Sequence, residues 1–186
     1  GPTGSLYGNA AGGLLIISTK ESNASPFFNS NTITGAYGLL KQNTSISRSF
    51  KRFSYLLNYI NFSTKGYREQ SDSTYSLYSG KLNYKLNYNS YLDLIFDFYD
   101  SPWSGDPGAT TIEDATNRPT KIHSIYSQFK TGESIRQNRV ALKYKTSFSK
   151  SNLFSSAYIV DRSFINRIPY SIVDYDRSVV GGSLEL

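Results

Sequence analysis

From Thr32 onward, apolar and polar residues alternate with a period of two, broken at clusters of turn-forming residues. Side chains of a β-strand point alternately to its two faces, so this pattern predicts a succession of strands. A first strand is predicted over residues 32–37, turning near Gly38, and a more polar second one over 40–49, closed by a tight turn at Phe50, Lys51 and Arg52. The third places Phe53, Tyr55, Leu57 and Tyr59 on one face and Ser54, Leu56, Asn58 and Ile60 on the other. After a polar loop over 66–72 comes the clearest alternation, with Gly80, Leu82, Tyr84, Leu86 and Tyr88 opposed to Lys81, Asn83, Lys85 and Asn87. Turn residues at 87–90 lead into Leu92, Leu94, Phe96 and Phe98, set against Asp93, Ile95, Asp97 and Tyr99.

Residues 101–133 show no clear period and predict one long loop, a length that usually signals function or disorder. Alternation resumes with Val140, Leu142 and Tyr144 against Arg139, Ala141, Lys143 and Lys145, followed by a turn at 149–152. Phe154, Tyr158 and Val160 mark a further strand, interrupted by Ser156 and running out toward Arg162. A connection over 165–175, around Ile168, Pro169 and Tyr170, leads to Val180, Gly182, Leu184 and Leu186 opposite Gly181, Ser183 and Glu185. Upstream, Gly8, Gly12 and Gly13 predict turns before a short buried strand at Leu14, Leu15, Ile16 and Ile17, and residues 21–31 read as a polar linker carrying Pro26, Phe27 and Phe28.

Two features of this pattern point to a membrane barrel. Asp93 and Asp97 recur opposite an apolar face, and burying them unpaired in a dry sandwich would cost roughly several kcal/mol each, whereas a watery lumen removes that cost. The predicted connections also alternate between short turns (50–52, 88–90, 149–152) and longer loops (66–73, 101–133, 165–175), as the two ends of outer-membrane barrels do. The expectation is an all-β chain of about eight antiparallel strands, a portion of a barrel that in plugged transporters has about 22.

The opening string GPTGSLYGNAAGGLLIISTK resembles the end of the plug domain of TonB-dependent outer-membrane receptors. Gly1, Pro2, Ser5, Leu6, Tyr7, Gly8, Gly12, Gly13, Ile17, Thr19 and Lys20 carry the resemblance, while Ile16 and Ser18 depart from the family's pattern. Downstream, Gly35-Ala36-Tyr37-Gly38, Gly66-Tyr67-Arg68, Asp106-Pro107-Gly108-Ala109 and Thr131-Gly132-Glu133 are also similar to the family. The resemblance implies that residues 1–24 end a plug domain and that residues 25–186 begin its transmembrane β-barrel. It implies active uptake of a ferric siderophore or similar metal chelate across a bacterial outer membrane, with outer-membrane lipid around the barrel and the TonB complex pulling on the plug. The TonB-binding segment, the signal peptide and most of the plug would then lie upstream of Gly1, and the chain, which holds no Met, is expected to be a piece that does not transport alone.

Composition narrows the alternatives. Hydrophobic residues make up 38% of the chain and the mean hydropathy is −0.42, low for a globule with a large core. Sixteen Tyr and 11 Phe suit surfaces that are half apolar and half wet, such as the girdles of a membrane barrel. No apolar stretch approaches the roughly 18 residues of a membrane helix. Without Cys there are no disulfides and no thiolate metal sites. The net charge of +6 comes from scattered Lys and Arg with no basic block, which argues for a polar face and against nucleic-acid binding.

No hydrolase, phosphate-loop or zinc motif is present, so neither enzyme activity nor a cofactor is expected. The lone His123 lacks partners for a metal site, and Asp106, Glu113 and Asp114 lack the calcium-loop spacing. The candidate ligand contacts are Tyr67, Arg68, Tyr99, Trp103, Arg118 and His123, flat aromatic surface and planar guanidinium groups near loop positions. Lys81, Lys85, Asp93, Asp97, Lys143 and Lys145 are expected to face the lumen. Two other readings stay open: a non-transporting outer-membrane barrel (porin or adhesin) and a secreted carbohydrate-binding β-sandwich.

Overall fold

A computed structural model describes residues 26–186. Eight strands form one antiparallel sheet in the order of the chain: β1 (Phe27–Gly35), β2 (Leu39–Ser49), β3 (Phe53–Thr64), β4 (Ser73–Lys85), β5 (Ser90–Gly105), β6 (Gly132–Ser147), β7 (Asn152–Ile168) and β8 (Ser171–Glu185). Each strand pairs with its sequence neighbours, and β1 and β8 are not paired to one another, so the sheet is open. Two six-residue helices, α1 (Ile112–Asn117) and α2 (Ser124–Phe129), lie between β5 and β6. Strands β4 to β8 are 13 to 17 residues long, against about 5–6 residues for the commonest strands of globular proteins.

The register sorts the side chains into two faces. One row reads Tyr55, Leu82, Leu94, Leu142, Ala157 and the next Leu57, Gly80, Phe96, Val140, Ile159, Val180. Aromatic residues flank these rows: Phe53, Tyr84 and Tyr144 toward the short turns, Tyr59, Tyr78 and Phe98 toward the longer loops. From Phe53 to Tyr59 this apolar band spans about 20 Å at ~3.4 Å per residue. It stops at Asp100, Arg136 and Asp176, which share the next row. On the opposite face stand Lys81, Asp93, Lys143 and Asp97, Arg139 across neighbouring strands.

This sheet has no second layer among the described residues. Ile95 is their one buried apolar side chain, and Phe53, Tyr78, Tyr84, Phe98, Leu142, Ile159 and Val180 are exposed. A soluble domain buries its apolar face against another layer, so this sheet presents a surface that a partner medium has to cover.

The structure corrects several expectations. Strand β1 begins at Phe27, so Phe27 to Asn31 are strand and not linker; their run of Asn and Ser hides the alternation. Strand β5 extends through Trp103 to Gly105, because register shifts between Ser101 and Ser104 break the period without ending the strand. The loop is therefore residues 106–131 and contains α1 and α2. The longer loop expected over 165–175 is a two-residue turn at Pro169 and Tyr170. Tyr170 adopts φ +64°, a conformation that usually calls for Gly or Asn, and its ring packs 4.7 Å from that of Phe129 in α2. That contact across the loop is invisible to local turn chemistry. The three turns at one end (50–52, 86–89, 148–151) are all short, whereas the other end mixes short turns with the long loops. In β7, Phe154, Tyr158 and Val160 lie on the polar face with Lys145, Ala141 and Arg139; the apolar row takes Ala157 and Ile159 instead.

Gly80 marks a tight point in the band. A Cβ there would meet Phe96 Cζ at 2.4 Å and Leu57 Cδ2 at 2.8 Å, so the Phe96 ring lies across the glycine. Gly80→Val is expected to displace that ring and lower stability by about 1–3 kcal/mol, the usual cost of overpacking. Denaturant unfolding of the protein in micelles measures it; an unchanged midpoint would contradict this packing.

Candidate functional site

Two regions hold the candidate residues: the loop end of the sheet and its polar face. At the loop end, residues 65–72 between β3 and β4 clamp residues 106–131. The Arg68 guanidinium donates to the carbonyls of Gly108 (2.7 Å), Pro107 (3.3 Å) and Lys121 (3.3 Å). Gln70, with φ +57°, turns its amide into the base of the long loop, where Nε2 lies within hydrogen-bonding distance of the carbonyls of Tyr126 (3.1 Å), Thr131 (3.0 Å) and Asp106 (3.3 Å). Thr131 is fully buried there; its hydroxyl donates to the Asp106 carbonyl at 2.6 Å and accepts from Gln70 Nε2 at 2.9 Å. With Asp106 N donating to the Thr131 carbonyl at 3.0 Å, the two ends of the loop are tied together.

Glu69 completes the clamp. Its carboxylate accepts from Lys121 Nζ at 2.8 Å and from the Ile122 amide at 3.4 Å. The Lys121 hydrogen bond first, and the Ile122 amide second, hold its pKa below the ordinary value of 4.5. Helix α1 is capped by Thr111, whose hydroxyl accepts from Asp114 N at 3.0 Å, and carries Glu113 and Asp114 in its first turn, where the helix dipole favours negative charge. This cap offsets part of the cost of ordering a helix as short as α1.

On the polar face, both aspartates are paired across strands. Asp93 accepts from Asn83 Nδ2 at 2.5 Å and lies 3.5 Å from Lys81 Nζ; Asp97 accepts from Arg139 Nε at 2.6 Å. Lys81, Lys85, Asp93, Asp97, Lys143 and Lys145 all fall on this face by register. Toward the loop end the same face carries a ladder of rings, Phe62 to Tyr75 at 4.8 Å and Tyr75 to Tyr99 at 5.6 Å. An open depression beside it is lined by Leu56, Asn58, Ser79, Ile95 and Asp97.

The six candidate ligand contacts end up near one end of the sheet but in different settings. Tyr67 is exposed and meets Tyr37 edge-on at 5.4 Å. Arg68 is engaged by three carbonyls and works as a loop clamp. Arg118 pairs with Asp114 one helical turn back, Nε to Oδ1 at 2.9 Å. His123 caps α2, its Nδ1 accepting from Ile125 N at 3.4 Å. Tyr99 belongs to the ring ladder on the polar face and not to a loop. Trp103 lies in β5 with its indole against Gly132, where a Cβ would sit 2.7 Å from Cη2. The signature residues Gly1, Pro2, Ser5, Leu6, Tyr7, Gly8, Gly12, Gly13, Thr19 and Lys20 lie outside the described residues.

Gln70 and Thr131 are the organising residues that the pattern did not single out. Their partners lie up to 61 positions away, and a hydrogen bond to a distant carbonyl leaves no periodic trace. No protein-family model matches the chain.

The clamp makes two measurable statements. Gln70→Ala removes the amide that bridges the carbonyls of Tyr126, Thr131 and Asp106, each of which keeps a second donor, and loss of hydrogen bonds of this kind costs about 0.5–1.5 kcal/mol; amide exchange over residues 106–131 is expected to quicken while β3–β5 stay protected. Because the Glu69 pKa is depressed in the folded chain, its contribution is complete above about pH 5 and is lost as pH falls through the folded value, below 4.5. Trp103, the one tryptophan, sits at the loop base, so its emission is expected to shift below pH 4.5 in the native protein and to show no such step in Glu69→Gln. Identical acid titrations of the two proteins would contradict the clamp.

Proposed function

We propose that this sheet is part of the transmembrane β-barrel of a TonB-dependent outer-membrane receptor, which takes up a ferric siderophore or similar metal chelate, with residues 1–24 ending the plug. The observation that carries the reading is the sorting of the faces: an uncovered apolar band with aromatic rims backs onto a charged and polar face within one layer. Lipid covers the first and a polar lumen hydrates the second, which together satisfy both faces without a second layer. Strands of 13 to 17 residues exceed the roughly 9–11 residues that a tilted strand needs to cross a bilayer. The uniformly short turns at one end fit a periplasmic side and the clamped 106–131 loop an extracellular one. Tyr67, Arg118 and His123 on that loop end, with Tyr99 and Trp103 just inside it, are the proposed chelate contacts. Lys81, Lys85, Asp93, Asp97, Lys143 and Lys145 then line the lumen.

The test is uptake of radiolabelled iron, supplied as defined chelates, by cells that make the full protein under iron limitation. The receptor reading predicts uptake that a protonophore abolishes and that requires an upstream TonB-binding segment in the coding sequence. Passive permeation unaffected by the protonophore would make it a porin. A protein that is monomeric in water without detergent would make it a secreted sandwich, and either result overturns the proposal.

A further inference from the structure

The polar face sets two arginines directly opposite one another on neighbouring strands. Tyr99 pairs in register with Gln137, Gln137 with Arg162 and Arg162 with Arg177, so the four side chains stand in one row across β5 to β8. The row spans three strand gaps, about 14 Å at ~4.8 Å each. Elsewhere on this face Lys81 has Asp93, Arg139 has Asp97, and Lys85 and Lys145 lie over aromatic rings. Among the described residues no carboxylate pairs with Arg162 or Arg177.

Like charges directly opposite on an antiparallel pair are destabilising. The Arg162 guanidinium lies 5.6 Å from the centroid of the Phe164 ring, and its Nε is buried without a hydrogen-bond partner. Two planar guanidinium groups held side by side match the oxygens of a carboxylate or phosphate, which neutralise the repulsion and satisfy the donors together. The ring ladder of Phe62, Tyr75 and Tyr99 lies along the same face toward β3.

We propose that Arg162 and Arg177 form an oxyanion subsite on the polar face, which takes the carboxylate or phosphate group of a ligand whose flat part rests against Tyr99 and Tyr75. Gln137, between Tyr99 and Arg162 in the row, supplies a neutral donor. The subsite deepens the receptor reading, on which its place along an uptake route rests; its binding chemistry rests on the row alone.

Calorimetric titration of the purified full-length protein in detergent, with citrate and with inorganic phosphate at low ionic strength, tests it. At least one of the two is expected to bind, and Arg162→Gln and Arg177→Gln to weaken that binding tenfold or more. Citrate alone would mark a carboxylate site, phosphate alone a phosphate site. Arg136→Gln, which removes a cation paired with Asp100 on the other face, is expected to leave binding unchanged. Because the two arginines repel, Arg177→Gln is also expected to keep or raise the thermal midpoint while it loses the ligand, a combination that a purely structural residue does not give. No binding of either anion, or equal binding by the Arg162→Gln/Arg177→Gln double variant, overturns the subsite. Intact binding in a protein whose uptake ignores the protonophore removes the receptor reading and leaves the subsite standing; energy-dependent uptake without anion binding does the reverse.

Discussion

A sheet one layer thick cannot remove its own apolar side chains from water. Every antiparallel sheet in a soluble domain meets this constraint by packing a second sheet or a helix on its greasy face. Among the described residues the two α-helices are six residues each and sit in the β5–β6 loop. The apolar rows of β3 to β8 stay open, and at about 25 cal/mol per Å2 such a surface carries a large unsatisfied free energy. The other properties of the sheet follow from whatever covers it.

The polar face answers the opposite constraint. Carboxylates at Asp93 and Asp97 need water or cations, and the register supplies Lys81, Asn83 and Arg139 within reach. Pairing of this kind is worth little in stability where water has access, but it fixes which side chains line the surface and in what order. The apolar band fails toward the loops, where Asp100 and Arg136 take over the same face. Beyond that boundary the chain spends its hydrogen bonds on shape: Arg68, Gln70 and Thr131 bind carbonyls of a 26-residue connection (106–131) that would otherwise carry the entropy of a free loop. A clamped loop can hold side chains such as Tyr67 and His123 in place before any ligand arrives, which lowers the ordering cost of binding.

What the amino-acid pattern revealed depends on how local each determinant is. Strands β3 and β5 were legible because Phe53 to Tyr59 and Leu92 to Phe98 put an apolar or aromatic residue at every second position. Strand β7 was half legible: both of its faces carry apolar groups, so only pairing with β6 decides that Phe154 and Tyr158 join the lysines. The end of β5 was hidden by the register shift near Ser101. The β7–β8 turn was hidden by a tyrosine at positive φ, held against Phe129 of a distant helix. Of the candidate site, the shared face of Lys81, Asp93, Asp97 and Lys143 was readable from alternation alone. The reach of the Arg68 guanidinium to three carbonyls of the long loop was not, because carbonyls are partners that every residue has.

The medium against the apolar band is therefore the quantity to measure. The chain contains no cysteine, so spin labels can be placed singly from position 92 to 98 in the full protein reconstituted into lipid. Collision rates with oxygen, which concentrates in hydrocarbon, and with a water-soluble nickel chelate report the surroundings of each label. The account predicts a period of two, oxygen high at Leu92, Leu94, Phe96 and Phe98 and nickel high at Asp93 and Asp97. Labels at the four apolar positions that meet neither reagent would show protein packed on that face, and labels that meet nickel alone would show water; either contradicts a lipid-facing band.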